Sequence, residues 1–154
     1  MYQKIMVTLD GSELAECVLP HVEAIAKGCL VKEVVFVRVL EIAQIMNYLM
    51  STPSYDVKRH IESEGKAAAE NYLRQLVDRV NYDGVNVHWE VMEGLVADSI
   101  SDYATKNEVD LIIIATHGRS GISRWVLGSV ADRILRSACV PVLMVRAPGC
   151  VGGI

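Results

Sequence analysis

The sequence predicts an α/β domain built on a doubly wound, five-stranded parallel sheet in the order 3-2-1-4-5, with helices on both faces. Short aliphatic runs alternate along the chain with segments whose apolar residues recur at helical spacing, the pattern of strands joined by crossover helices. The run Asp110 to Ala115 (DLIIIA) is apolar without alternation, as a strand covered on both faces must be. Right-handed crossovers then leave few arrangements for five such strands, and 3-2-1-4-5 is the simplest. The 154 residues suit one domain. At that length folding buries about 70% of the surface of the unfolded chain, so stability requires neither disulfide nor metal.

In order, Lys4 to Leu9 (KIMVTL) reads as strand 1 and is ended by Asp10-Gly11. Leu14, Val18, Val22 and Ile25 then recur at helical spacing, with Ser12 as N-cap and Gly28 as the stop. Pro20 falls inside this helix, where it removes a hydrogen bond and predicts a kink. Glu33 to Leu40 (EVVFVRVL) is strand 2. The apolar 42–50 stretch breaks at Ser51-Thr52-Pro53-Ser54 and reads as a short helix or a mobile flap; burial in the core or a dimer is its plainest role, beside a lid over a ligand pocket or a partner surface. A helix follows with Ala69, Tyr72, Leu73, Leu76, Val77 and Val80 on one stripe, ended by Tyr82-Asp83-Gly84. Val85 to Val91 is strand 3, with one more polar face, and Val96, Ile100, Tyr103 and Ala104 mark a short helix. After strand 4, residues 116–127 are a loop. Ser129 is expected to cap a helix with a buried stripe of Val130, Ala131, Ile134, Leu135 and Ala138. Pro141 to Val145 is strand 5, so the domain spans 1–146 and residues 147–154 form a flexible tail.

Composition narrows the function classes. No apolar run approaches the ~20 residues that cross a bilayer, and the N-terminal stretch breaks too early for a signal peptide, so a cytoplasmic protein is expected. Cys17, Cys29, Cys139 and Cys150 lack the spacing of metal ligands and read as free thiols or small apolar residues. A net charge of −4 removes the usual driver of nonspecific nucleic-acid binding.

The rule that ligands bind outside the strand ends at a topological switch point selects two segments: Leu9-Asp10-Gly11, and Ala115 to Val130. The second, ATHGRSGISRWVLGSV, is basic within an acidic protein. Gly118, Gly121 and Gly128 free its backbone to turn N–H groups toward one point. The helix opening at 128–130 adds unpaired amides at the positive end of its dipole. Ser120, Ser129, His117, Arg119 and Arg124 surround the same place with donors, a constellation suited to phosphate.

Gly118, nine residues, then Gly128-Ser129 resembles the ATP-binding motif of the universal stress protein family, Gly-x-x-Gly followed after nine residues by Gly-Ser or Gly-Thr. The resemblance runs nearly the whole length, through Asp10-Gly11-Ser12, Val39-Leu40-Glu41, DLIIIATHGRSG, LGSVADRIL and VPVLMVR. It implies that adenine lies against Asp10 and Val39. Ribose and triphosphate then run along Ala115, Gly118, Arg119, Gly128, Ser129 and Val130. It also implies a homodimer, in which strand 5 (Pro141 to Val145) pairs with its copy and so covers an apolar edge. One position departs from the motif: Ala115 stands where the first glycine would be, losing access to φ > 0 and adding a methyl group near the ligand. Asp10 keeps a second reading, as the turn residue of Asp-Gly. Magnesium, if it accompanies ATP, is expected to take phosphate and water as ligands.

The expected function is thus an ATP-binding stress-response or signalling module that reports occupancy through partners or dimer geometry. No membrane or nucleic-acid partner is expected. Two rivals stand beside it: a dimeric scaffold without nucleotide, to which Ala115 points, and a slow ATPase or phosphate-transfer enzyme, to which His117, Arg119 and Arg124 point. No nucleophile, base and orienting residue gather around His117, so dedicated catalysis is not expected. The sequence has no P-loop pattern, no dinucleotide fingerprint after strand 1 and no carboxylate cluster of a receiver domain.

Overall fold

Aliphatic runs with strand propensity pair side by side as parallel strands in the computed structural model, which describes residues 2–41, 50, 55–116 and 128–146 (backbone alone for 55–58 and 61). They are β1 (Lys4–Thr8), β2 (Glu33–Glu41), β3 (Asn86–Gly94), β4 (Leu111–Ala115) and β5 (Val142–Val145). Their order is β3-β2-β1-β4-β5, the order the sequence predicts. Val7 of β1 lies beside Phe36 of β2 on one side and Ile113 of β4 on the other, and Ala115 of β4 lies beside Val145 of β5.

Because successive strand residues point to opposite faces, each inner strand feeds two cores. Ile5, Val7, Val34, Phe36, Leu111 and Ile113 join one cluster with Val22 and Ala26 of α1 (Leu19–Cys29) and Leu73 and Leu76 of α2 (Tyr55–Arg79). Met6, Val35, Val37, Ile112 and Ile114 join the other, with Ala97, Ile100 and Ala104 of α3 (Val96–Lys106) and Ala131 and Ile134 of α4 (Ser129–Ser137). Phe36, Ile5 and Ile113 are wholly excluded from water. Each such side chain contributes about 1.5–3 kcal/mol relative to leaving it exposed.

The first helical segment differs from the sequence expectation. A 3-10 turn over Ala15–Val18 comes first, and the α-helix begins only at Leu19, so Pro20 stands in its first turn and produces no interior kink. The reason is that first-turn N–H groups have no acceptor inside the helix, so proline loses nothing there. Ser12 is the N-cap of neither segment: Leu14 precedes the 3-10 turn and Val18 the α-helix, both without a side-chain cap. Its Oγ accepts from the Ala15 amide at 3.2 Å and so braces the turn that leads into them. The helix also runs past Gly28, and its left-handed terminus is Leu30, at φ 55° and ψ 46°.

Two further boundaries move. β3 extends to Gly94, three residues beyond the expected Val91, because β2 offers it a partner along its full length. Helix α4 is capped by the extended backbone of Gly128 and not by a serine side chain, and Ser129 is its first residue. On the stripe expected to be buried, Leu135 is instead 46% exposed. The 42–54 segment, save for an exposed Met50, and the tail 147–154 lie outside the described residues. Among the described residues no helix is long and apolar enough to cross a membrane, and Cys17, Cys29 and Cys139 are in no disulfide.

Candidate functional site

β1 and β4 are neighbours at the centre of the sheet, and the chain leaves them in opposite directions, toward β2 and toward β5. Divergent connections open a crevice beyond the strand ends. A cleft of about 390 Å³ occupies that place, within the range of small-molecule sites. Its floor and walls come from the ends of β1, β2 and β4, the side of α3 and the N-terminus of α4.

Six residues singled out in the sequence line this one cleft: Asp10, Val39, Ala115, Gly128, Ser129 and Val130. Gly118 and Arg119 lie outside the described residues, as do His117, Ser120, Gly121 and Arg124. Asp10 follows β1 and is partly exposed; its Oδ1 accepts from the Ser12 amide at 2.9 Å and from the Ser12 hydroxyl at 2.6 Å. The turn role anticipated for Asp10 is therefore real, and it is combined with a place on the cleft wall. Gly11 carries φ +84°, a value that favours glycine. Val39 continues the α3-side apolar cluster to the rim.

Ala115 is the last residue of β4, 8% exposed, and has strand backbone. No left-handed conformation is demanded there, so the conformational objection to alanine falls away and only its methyl group remains to be accommodated. Gly128 has a different reason to be glycine. Its N–H donates to the Thr116 carbonyl at 3.1 Å, while the Thr116 N–H donates to the Val145 carbonyl at 2.8 Å. A β-carbon on Gly128 would stand 2.7 Å from that Thr116 oxygen. The glycine thus permits backbone to touch backbone where α4 begins.

From Gly128 the chain enters α4. The first intrahelical bond runs from the Asp132 amide to the Gly128 carbonyl at 2.9 Å, so the amides of Ser129, Val130 and Ala131 have no acceptor within the helix. They stand at the positive end of the helix dipole, and the three residues that carry them line the cleft. Ser129 is exposed and Val130 half-buried. This arrangement can hold an anion beside an apolar wall.

Sequence reasoning gave no role at the site to Arg38 or to Glu41 of β2, which also line the cleft. The signal was present: Arg38 is the one charge inside the otherwise apolar run VVFVRVL. Behind it, Tyr72 of α2 donates its hydroxyl to Glu16 Oε1 at 3.0 Å, and Arg79 Nη2 donates to Glu16 Oε2 at 2.6 Å. Burial first, and then the Glu16 carboxylate, push the Tyr72 phenol well above its ordinary value, so it remains a proton donor.

A sheet in this order, a switch-point cleft and a glycine-capped helix facing it describe an architecture that the sequence as a whole also matches. The model of the universal stress protein family covers residues 1–146. The chain belongs to the universal stress protein family. Among its relatives, universal stress protein MJ0531 of Methanocaldococcus jannaschii is 32% identical over 96% of this chain and 84% of its own length. The solved structure of universal stress protein MJ0577 from the same organism superposes with a TM-score of 0.75 at 29% identity, covering 97% of this chain and 99% of the other. A universal stress protein family member from Arabidopsis thaliana with AMP bound shares the fold, with a TM-score of 0.65 at 17% identity over 96% and 93% of the two chains.

Proposed function

We propose that this universal stress protein is a nucleotide-binding stress-response module that holds ATP in the switch-point cleft, acts as a homodimer and performs little or no dedicated catalysis. The carrying observation is that the N-terminus of α4 opens into the same cleft that Val39 walls and Asp10 rims. Adenine packs on Val39, and the Asp10 carboxylate accepts from the adenine amino group or a ribose hydroxyl. The phosphates run across Ala115 to the amides of Ser129, Val130 and Ala131, with Gly118 and Arg119, named from the family motif, completing the site. The related fold from Arabidopsis thaliana holds an adenine nucleotide, which supports the assignment of ligand class. Magnesium accompanying ATP would draw its ligands from phosphate and water.

The homodimer forms through β5. This strand ends the sheet, and Val142, Leu143 and Met144 are only partly buried. Pairing with its copy satisfies the open edge.

Calorimetric titration of nucleotide-stripped protein with ATP and magnesium tests the central claim. Saturable binding at micromolar concentration or below is expected, with ATP turnover no faster than in a His117→Ala variant. Absence of heat, in a protein that sediments as a dimer, would transfer the reading to a nucleotide-free scaffold. Gly128→Val is unsuitable as the control, because its side chain would strike the Thr116 carbonyl whether or not a phosphate binds there. Ser129→Glu takes its place.

A further inference from the structure

Arg38 is a charged residue in the interior strand β2, and its surroundings define a role. A β-carbon built on Gly11 would lie 2.8 Å from its Nη1 and 2.9 Å from its Cζ, so the guanidinium lies directly against the Asp10-Gly11 turn. On another side its Cζ stands 5.7 Å from the centroid of the Tyr72 ring, a cation–π separation. That ring is braced in turn, through its hydroxyl to Glu16 and through Glu16 to Arg79. The guanidinium is thus bounded by the turn and by a fixed aromatic wall.

We infer that Arg38 is a positioning residue of the nucleotide site: packed against Gly11 and the Tyr72 ring, it sets where the Asp10-Gly11 turn stands over the cleft. The inference rests on reading the cleft as an adenine-nucleotide site. The sheet order argues for this role over a phosphate contact. β2 and β4 are separated by β1, so Arg38 and the end of β4, next to the α4 amides, are two strand spacings apart, roughly 10 Å. Arg38 consequently acts at the nucleoside end. A planar guanidinium suits such packing, whereas an ammonium concentrates its charge at one strongly hydrated point.

The test titrates the whole chain, as wild type, Arg38→Lys and Arg38→Met, with adenosine, AMP and ATP. In parallel it follows hydrogen exchange of the Ser12 and Ala15 amides without ligand, since these donate to Asp10 Oδ1 and Ser12 Oγ. Both variants are expected to lose affinity about tenfold, and equally for all three ligands, as suits residues coupled by direct contact. Lysine is expected not to rescue, and both amides to exchange faster. Tyr72→Leu, which removes the wall and leaves Arg38 in place, is expected to show the same uniform loss in smaller measure. A loss that grows from adenosine to ATP would make Arg38 a phosphate contact and overturn the inference, as would unchanged affinity. If the wild type binds none of the three, the nucleotide reading itself fails. The exchange data still decide the geometry in that case, with unaltered exchange overturning it.

Discussion

A glutamate in place of Ser129 would put a negative charge where the proposed site receives phosphate. Ser129 is exposed, opens α4 and caps nothing with its side chain, so folding asks little of it. A carboxylate in the first turn of a helix instead favours the helix, by about 0.3–1 kcal/mol. For a bound anion the sign reverses. One unit charge at roughly 5 Å repels another by about 0.8 kcal/mol in bulk water and by about 3 kcal/mol at the effective dielectric of a protein surface. Counting only the nearest phosphate charge, ATP affinity should fall roughly fourfold to 150-fold. Adenosine carries no such charge and should bind Ser129→Glu as it binds wild type. Calorimetry with both ligands, beside a thermal melt, separates the terms: the melt should hold or rise while ATP binding alone weakens. Equal losses for ATP and adenosine in a protein with wild-type stability would refute the placement of phosphate at α4.

Three further outcomes follow from the same structure. The carbonyls of Pro141 and Val145 accept from Ile112 and Thr116, so strand alternation turns the Met144 N–H to the open edge. Met144→Pro should therefore leave the β4 pairing intact while shifting sedimentation from dimer to monomer; a dimer that survives would argue against pairing through β5. Leu30 holds φ 55° with its side chain 82% exposed, a conformation that costs a non-glycine residue about 1–2 kcal/mol. Leu30→Gly should raise the melting temperature by about 2–4 °C, the shift worth about 1 kcal/mol at this size, and a lower value would show that the leucine makes a stabilising contact. Asp110 Oδ2 accepts from the amides of Gln3 and Lys4 at 2.8 and 2.9 Å, and those backbone donors hold its carboxyl below the ordinary 3.8. Because the unfolded state then binds more protons in that window, its contribution is complete above the ordinary value and is lost as pH falls through the lowered one. Denaturant melts from pH 6 down to pH 2 should show a shallower decline for Asp110→Asn than for wild type, and parallel declines would count against this role.

The architecture was legible in the sequence because burial on two faces leaves a plain trace. LIIIA and VVFV carry no alternation, and the switch point followed from strand order alone. Boundaries were less legible. Pro20 read as an interior kink because periodicity cannot distinguish a 3-10 turn feeding an α-helix from one continuous helix. Leu30 as a left-handed terminus had no local signal, since leucine is not a residue that seeks that conformation. At the site, Asp10, Val39, Ala115, Gly128, Ser129 and Val130 were named from spacing and family resemblance, and the fold brings these six together. The reason for Gly128 was not legible: its close approach to Thr116 joins two backbone segments with eleven residues between them in the sequence. Arg38 escaped notice for a related reason, because its meaning lies in Gly11 and Tyr72, which the sequence holds far apart.

The bond between Gly128 and Thr116 has a consequence for how this site can vary. It ties the first turn of α4 to the end of β4 through main-chain atoms alone. Side chains on either element can therefore change without moving the N-terminus of that helix relative to the sheet. The lining of the cleft is free to be rewritten for another ligand while the frame that receives the anion keeps its dimensions.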